Sequence, residues 1–151
     1  MFVSQHNNID TPKIFTIGFS GKSPDAFLEV LNAVRVRAVW DIRQWRTAHT
    51  YHFTVAKLWP RHWGDRYEYH PEFAPTVEIL AGYKDGRITW PAYERMYHEL
   101  LAACHPAAGI AQADIDRICL LCTEKSAPQC HRSLAAEYIA EQLLDIEIVH
   151  L

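Results

Sequence analysis

Short apolar segments that favour β-strands alternate with helix-like segments along this 151-residue chain, and this alternation constrains the fold most. Residues 13–18 form a β-favouring apolar run that ends in glycine. A helix is predicted after Ser23, because serine caps a helix and Pro24 and Asp25 suit its first turn. A second strand is predicted at residues 37–42. Two strands joined by a helix within so short a stretch form a βαβ unit, in which the strands lie parallel.

The rest of the chain continues this alternation. Further strands are predicted at residues 67–70, 117–122 and 146–150, and further helices at 90–103 and 133–144. Residues 105–116 are interpreted as a connection. We expect residues 1–12 to be a flexible tail and residues 13–151 to form one domain. The predicted fold is a single three-layer α/β domain with a mostly parallel sheet and helices on both faces.

The composition is that of an ordinary globular protein, with 49% apolar and 22% charged residues. No apolar run approaches the length of a membrane span, and the first residues do not resemble a secretory signal. We therefore expect a soluble, cytoplasmic protein without a membrane partner. In that reducing compartment its four cysteines are expected to be free thiols.

Polar residues follow the predicted strands at their carboxyl ends, where parallel sheets bind ligands. The residues expected at this edge of the sheet are Gly18, Ser20, Asp41, Arg43, His70, Cys122 and Glu124. Asp41 and Arg43 have two interpretations. They could act on a substrate, with Asp41 as a general base and Arg43 as a phosphate clamp, or form an ion pair that closes the sheet edge.

The loop from Cys122 to Arg132 concentrates reactive groups between a strand and a helix. A helix N-terminus lowers the pKa of a nearby thiol, so Cys122 and Cys130 are the candidate nucleophiles. The candidate acid/base groups are His131, Glu124 and Asp41, and the candidate anion contacts are Arg43, Lys125 and Arg132. The alternative is a buried, unreactive Cys122 followed by an ordinary capped loop.

Cys119 and Cys122 have the spacing of a metal-binding knuckle, but three positions along a strand place their side chains on opposite faces. The chain has no second pair to complete a structural zinc site. Zinc held by Cys122, Cys130 and His131 stays open as an alternative. Our prediction is that the protein has neither a metal nor a cofactor.

The segment 43–66 is basic and rich in aromatic residues, which suits stacking on bases along a phosphate backbone. The whole chain, however, carries a net charge of −3, which argues against a protein that coats nucleic acid. Nucleic acid is therefore a possible partner that we do not favour.

Several motifs together resemble the family catalogued as domain of unknown function 488. The matching segments are Thr16–Ser20, Asp41–Arg43, Leu120–Lys125 and Cys130–Arg132. Phe19 stands where the family usually has histidine, and Gln44–Arg46 stands where a proline is common. The likeness covers about residues 14 to 151. It implies an α/β fold and a site at the strand-end edge, and it brings no established reaction.

Three functions are compatible with these residues. The leading hypothesis is an enzyme that acts on a phosphate-bearing or nucleobase-containing substrate, a small anionic or nucleotide-like ligand. The second is a non-catalytic nucleic-acid or nucleotide-binding module that uses residues 43–66. The third is a thiol redox sensor that pairs Cys122 with Cys130.

Overall fold

A five-stranded parallel sheet organises the protein, and the computed structural model describes it over residues 10–44, 66–124 and 126–151. The strands are β1 (Lys13–Gly18), β2 (Ala38–Asp41), β3 (Tyr67–Tyr69), β4 (Ile118–Cys122) and β5 (Glu147–His150). They lie in the order β3-β2-β4-β1-β5, and every neighbouring pair is parallel. This confirms the predicted parallel sheet.

Helices cover both faces of the sheet, as predicted. They are α1 (Pro24–Ala33), α2 (Val77–Lys84), α3 (Trp90–Cys104), α4 (Gln112–Ile115) and α5 (His131–Leu143). On one face, α1 buries Phe27 and Leu31 against Phe15 and Ile17 of β1. The other helices contribute to a second core on the opposite face, so the sheet is the middle of three layers.

The register of the central strands sets the position of the loops that follow them. Gly18 at the end of β1 is opposite Cys122 at the end of β4, and Asp41 at the end of β2 is opposite Leu121. Since the strands are parallel, their carboxyl ends meet at one edge. The loop after β4 therefore begins beside the ends of both β1 and β2.

Three helices differ from the sequence-based expectation. The prediction of a plain connection over 105–116 was wrong in part, because α4 forms a single short turn there. The helix α2, for which no prediction was made, begins after Thr76, whose side chain accepts a hydrogen bond from the backbone N–H of Ile79. The helix α5 begins at His131, two residues earlier than predicted, because Cys130 already adopts the extended conformation of an N-cap.

Some of the sequence-based predictions concern residues that lie outside the described part of the chain. Most of the basic and aromatic segment 43–66 lies there, as do Lys125 and the first nine residues of the predicted tail. Among the helices that are described, none is both long enough and apolar enough to cross a membrane.

Candidate functional site

Two buried cysteine sulfurs are in contact at the carboxyl end of the sheet. Cys122 is the last residue of β4, and Cys130 is the N-cap of α5. Their Sγ atoms are 2.9 Å apart, and the side chains are 0% and 2% exposed. A disulfide bond would be about 2.05 Å long. The two residues are therefore free thiols held in a hydrogen bond, eight positions apart in the chain.

The guanidinium group of Arg132 lies against the same pair. Arg132 is the second residue of α5 and is only 1% exposed. Its Nη1 atom donates hydrogen bonds to Cys122 Sγ over 3.2 Å and to the carbonyl oxygen of Glu124. A buried cation thus touches one of the two sulfurs, and the N-terminus of α5 adds the positive end of a helix dipole.

These contacts separate the acidities of the two thiols. Burial raises the pKa of Cys122, but the hydrogen bond with Cys130 and the charge of Arg132 outweigh it, so that pKa lies below its ordinary value. The hydrogen bond with Cys122, followed by burial, raises the pKa of Cys130 far above its ordinary value. Cys122 is therefore the thiol of the pair that loses its proton first, and Cys130 can then donate its own proton to the Cys122 sulfur.

Gly18 allows this arrangement to form. It is opposite Cys122 in the sheet, and a Cβ atom at this position would overlap the carbonyl oxygen of Glu124 and Nη1 of Arg132. The backbone of the neighbouring residues also fastens the loop, since the N–H of Ser20 donates to the carbonyl oxygen of Thr123 over 3.1 Å. The packing role of Gly18 is steric: no larger residue fits between β1 and the loop.

His131 connects α5 to the end of β2. Its Nε2 atom lies 2.9 Å from the carbonyl oxygen of Ile42, which can only accept, so Nε2 carries the proton. Burial lowers the pKa of His131 to about 4, with the charge of Arg132 acting in the same direction. The imidazole is therefore neutral near pH 7. Its Nε2–H donates a hydrogen bond to a backbone carbonyl and is not placed to transfer its proton to a substrate.

Asp41 and Arg43 form the ion pair that the sequence left open. The Nε and Nη2 atoms of Arg43 donate to the two carboxylate oxygens of Asp41 over 2.8 and 2.7 Å, and both side chains are buried. The hydroxyl of Tyr67 donates to the same carboxylate over 2.6 Å. Burial lowers the pKa of Arg43, but the hydrogen bond and charge of Asp41 outweigh this and raise it overall. Both groups are thus engaged with each other at the sheet edge.

His70 and Glu124 are also among the expected site residues, and both lie in the described part of the chain. The ring nitrogens of His70 are 2.8 Å from a carboxylate oxygen of Glu68 and 2.6 Å from one of Glu72, and its ring packs against that of Trp40 at an interplanar angle of 33°. The side chain of Glu124 is exposed, and only its carbonyl oxygen takes part in the thiol centre. Nothing is described for Lys125.

The sequence did not point to Tyr93, which the structure places near the thiol pair. Tyr93 lies in the helix predicted at residues 90–103, and the sequence assigned it no role in the site. Burial raises its pKa well above the ordinary value, and charge on Cys130 and Cys122 acts in the same direction. A tyrosine on the buried stripe of a helix was the available signal, because its hydroxyl must meet something polar in the core.

A cavity of about 300 Å³ adjoins the turn that carries Cys130. Residues from the turn, from α3, from α5 and from β5 line it, and they include Trp90, Glu94, Gln129, Ser133, Glu137 and His150. Its charged residues are acidic, whereas the sequence suggested an anionic ligand. In the described part of the chain, no group of three His, Cys, Asp or Glu residues is arranged to hold a metal ion.

Comparison with known proteins identifies the family of this chain. The family model of a domain of unknown function, DUF488, matches residues 23–139, a range that includes Asp41, Arg43 and the whole loop from Cys122 to Arg132. No curated protein and no solved structure matches the chain. Because the family model covers most of its length, the chain belongs to the DUF488 family.

Proposed function

We propose that this protein is a dithiol redox protein in which Cys122 is the reactive thiolate and Cys130 is its partner thiol. The observation that carries the proposal is the 2.9 Å contact between the two sulfurs, with Arg132 Nη1 3.2 Å from Cys122 Sγ. A thiolate, a nearby cation and a second thiol within reach are the three parts that reversible thiol oxidation requires.

The oxidant that suits the site is a small hydroperoxide, because both sulfurs are buried. With hydrogen peroxide as the oxidant, the Cys122 thiolate attacks one peroxide oxygen, the O–O bond breaks, and the other oxygen leaves as water after taking a proton. Cys122 is then a sulfenic acid. The sulfur of Cys130 loses its proton and attacks Cys122 Sγ, the S–O bond breaks, and a second water leaves. Two thiols are oxidised to a disulfide and one hydroperoxide is reduced.

The chain geometry favours the second step. Cys130 needs to approach by only about 0.9 Å to reach the length of a disulfide bond. The residue before it, Gln129, has a φ of 58°, in the left-handed region that non-glycine residues seldom occupy. Since Cys130 is the N-cap of α5, we expect its displacement to be taken up in this turn rather than within the helix.

The enzyme hypothesis, with a phosphate-bearing or nucleobase-containing substrate, has less geometric support. It requires cationic side chains that face a ligand, but Arg43 is engaged with Asp41, and Arg132 donates to Cys122 and to the Glu124 carbonyl. The binding-module hypothesis depends on residues 43–66, most of which lie outside the described part of the chain. The thiol contact is therefore the more direct guide to function.

The test is to treat the protein with hydrogen peroxide and map the products by mass spectrometry. The exposed Cys104 is first replaced by serine, and the experiment uses this Cys104→Ser protein, so that oxidation of Cys104 does not interfere. We expect a loss of two hydrogens and a peptide that joins Cys122 to Cys130. In Cys130→Ser, sulfenic and higher acids should accumulate on Cys122. A wild-type protein that forms no such disulfide would refute the proposal.

Cys119 provides the matched control. It lies on the same strand as Cys122 and is equally buried, but it belongs to the core on the α1 face. Burial raises its pKa well above the ordinary value. Cys119→Ala should therefore leave the yield of the Cys122–Cys130 disulfide unchanged.

A further inference from the structure

The reduced thiol pair is held by contacts that a disulfide cannot keep. A hydrogen bond joins the Sγ atoms of Cys122 and Cys130 over 2.9 Å, and both side chains are buried. A disulfide has no S–H group, so oxidation of the pair removes this hydrogen bond. Oxidation also removes the negative charge that Cys122 carries as a thiolate. Each contact that needs the S–H donor or that charge therefore favours the dithiol over the disulfide.

Arg132 makes the contact that depends on the charge. Its Nη1 atom lies 3.2 Å from Cys122 Sγ, and its side chain is only 1% exposed. A hydrogen bond between two ionised groups is roughly twice as strong as one between neutral groups. In the disulfide the sulfur of Cys122 is neutral, so the contact with Arg132 loses this charge-assisted part.

The N-terminus of α5 acts in the same direction as Arg132. Cys130 is the N-cap of this 13-residue helix, so both sulfurs lie at the positive end of its dipole. A helix N-terminus stabilises a thiolate but has little effect on a neutral disulfide. The pKa of Cys122 lies below its ordinary value although the residue is buried, as these contacts require.

The backbone on both sides of the pair also favours the open, reduced form. Cys122 is the last residue of β4, where it is opposite Gly18 in the sheet. The N–H of Cys130 donates to the carbonyl oxygen of Ala127 over 3.2 Å, and its carbonyl oxygen accepts from the hydroxyl of Ser133 over 2.8 Å. Formation of the disulfide brings the sulfurs about 0.9 Å closer and so works against these contacts of the turn.

We propose, on the basis of the redox function above, that the Cys122–Cys130 disulfide is an oxidising one and that a low-molecular-weight monothiol reduces it. The contacts of Arg132 and of the helix N-terminus stabilise the product of this reduction and not its starting material. The pair therefore returns to the dithiol without a strongly reducing partner.

Reduction consumes two molecules of the monothiol. The first, as a thiolate, attacks Cys130 Sγ, the S–S bond breaks, and Cys122 leaves with the electron pair beside Arg132. This direction is favoured because the sulfur with the lower pKa leaves faster. The second monothiol, also as a thiolate, attacks the monothiol sulfur of the mixed disulfide. Cys130 then leaves and takes a proton from solvent, and the disulfide of the monothiol is released.

The test is a redox titration of the Cys104→Ser protein in mixtures of reduced and oxidised glutathione. Titrations that start from the disulfide and from the dithiol define the equilibrium, and mass spectrometry after alkylation gives the oxidised fraction. We expect glutathione to reduce the pair, whereas structural disulfides resist it. A disulfide that forms with hydrogen peroxide but persists in excess reduced glutathione would overturn this inference alone. A protein that forms no disulfide would refute the redox function itself.

Arg132→Met tests the cause of this behaviour. Above the pKa of Cys122, loss of the cation should shift the equilibrium toward the disulfide, about tenfold for each unit by which that pKa rises. Arg132→Lys should shift it less, because it keeps the charge. The exposed Arg95→Met is the matched control and should leave the titration unchanged. Titrations of both Arg132 variants that coincide with that of the parent protein would contradict the role of this contact.

Discussion

Arg132 of α5 donates a hydrogen bond from Nη1 to the sulfur of Cys122 at the end of β4, over a distance of 3.2 Å. This single contact joins the first turn of a helix to the central strand of the sheet. The charge of Arg132 lowers the pKa of both thiols of the pair, and the hydrogen bond from its guanidinium group lowers that of Cys122 further. The difference in acidity between the two cysteines follows mainly from the hydrogen bond between them, which lowers the pKa of Cys122 and raises the pKa of Cys130.

Removal of that charge should make Cys122 less reactive. In Arg132→Met we expect the pKa of Cys122 to rise and its oxidation by hydrogen peroxide to slow, about tenfold for each unit of rise at neutral pH. Arg132→Lys should be less affected, since it keeps the charge but loses the planar fork. Stopped-flow measurement of thiol loss gives the rates, and exposed Arg95→Met is the control. A folded Arg132→Met that reacts at the wild-type rate would contradict this role.

A methyl group at Gly18 should displace both Arg132 and the loop. Gly18→Ala introduces a Cβ that overlaps the Glu124 carbonyl oxygen and the guanidinium group. We expect a loss of about 1–3 kcal/mol in the free energy of unfolding, the usual cost of overpacking, measured by urea denaturation. Gly82→Ala is the control, because its Cβ would meet Ile88 at an ordinary 3.4 Å and would suit the helix. Similar costs at the two positions would argue against the tight fit at Gly18.

His131 should make stability depend on pH in the acid range. Its pKa in the folded protein is about 4, below its ordinary value of 6.5. Between pH 6.5 and pH 4 the imidazole is therefore protonated in the unfolded chain but neutral in the folded protein. The contribution of the neutral His131 to the free energy of unfolding is complete above pH 6.5 and is lost as the pH falls through 4. It amounts to at most about 3 kcal/mol. In His131→Asn the slope of unfolding free energy against pH should flatten, whereas in His98→Asn, at an exposed position, it should not.

The ion pair at the end of β2 should act mainly on stability. Asp41→Asn leaves the buried guanidinium of Arg43 without its carboxylate and should cost about 3–5 kcal/mol. Tyr67→Phe removes one hydrogen bond to the same carboxylate and should cost about 1 kcal/mol. Chemical denaturation of the two variants compares these effects. If Asp41→Asn were no more destabilising than Tyr67→Phe, the ion pair would not be the main function of Asp41.

The sheet could be predicted from the sequence because its strands carry their own signals. The run from Ile118 to Cys122 is continuously apolar, as buried parallel strands are, and the run from Lys13 to Gly18 is apolar apart from Lys13 and Thr16. The helix α2 gave a weaker signal, since its eight residues include Gly82, and only Ile79 and Gly82 are buried. A helix so short depends on its packing against α3, which local sequence does not encode.

The positions of the candidate site residues at the strand ends could be predicted from the sequence, but the contacts between them could not. The loop from Cys122 to Arg132 and the Asp41–Arg43 pair were both identified from the positions of strand ends. The distance between Cys122 and Cys130, however, depends on the path of the turn between them, including the left-handed Gln129. The proximity of Tyr93 depends on how α3 lies against the sheet, which residue spacing alone does not determine.

The most direct test of the redox proposal is a titration of the thiolate by its ultraviolet absorbance in the Cys104→Ser protein. This measurement needs no reagent to enter the buried site. We predict a single thiolate that forms below the ordinary cysteine pKa of 9.0 and that disappears in Cys122→Ser. In Cys130→Ala, which lacks the hydrogen-bond donor, the same step should move to higher pH. A titration that is identical with and without Cys122 would contradict the account.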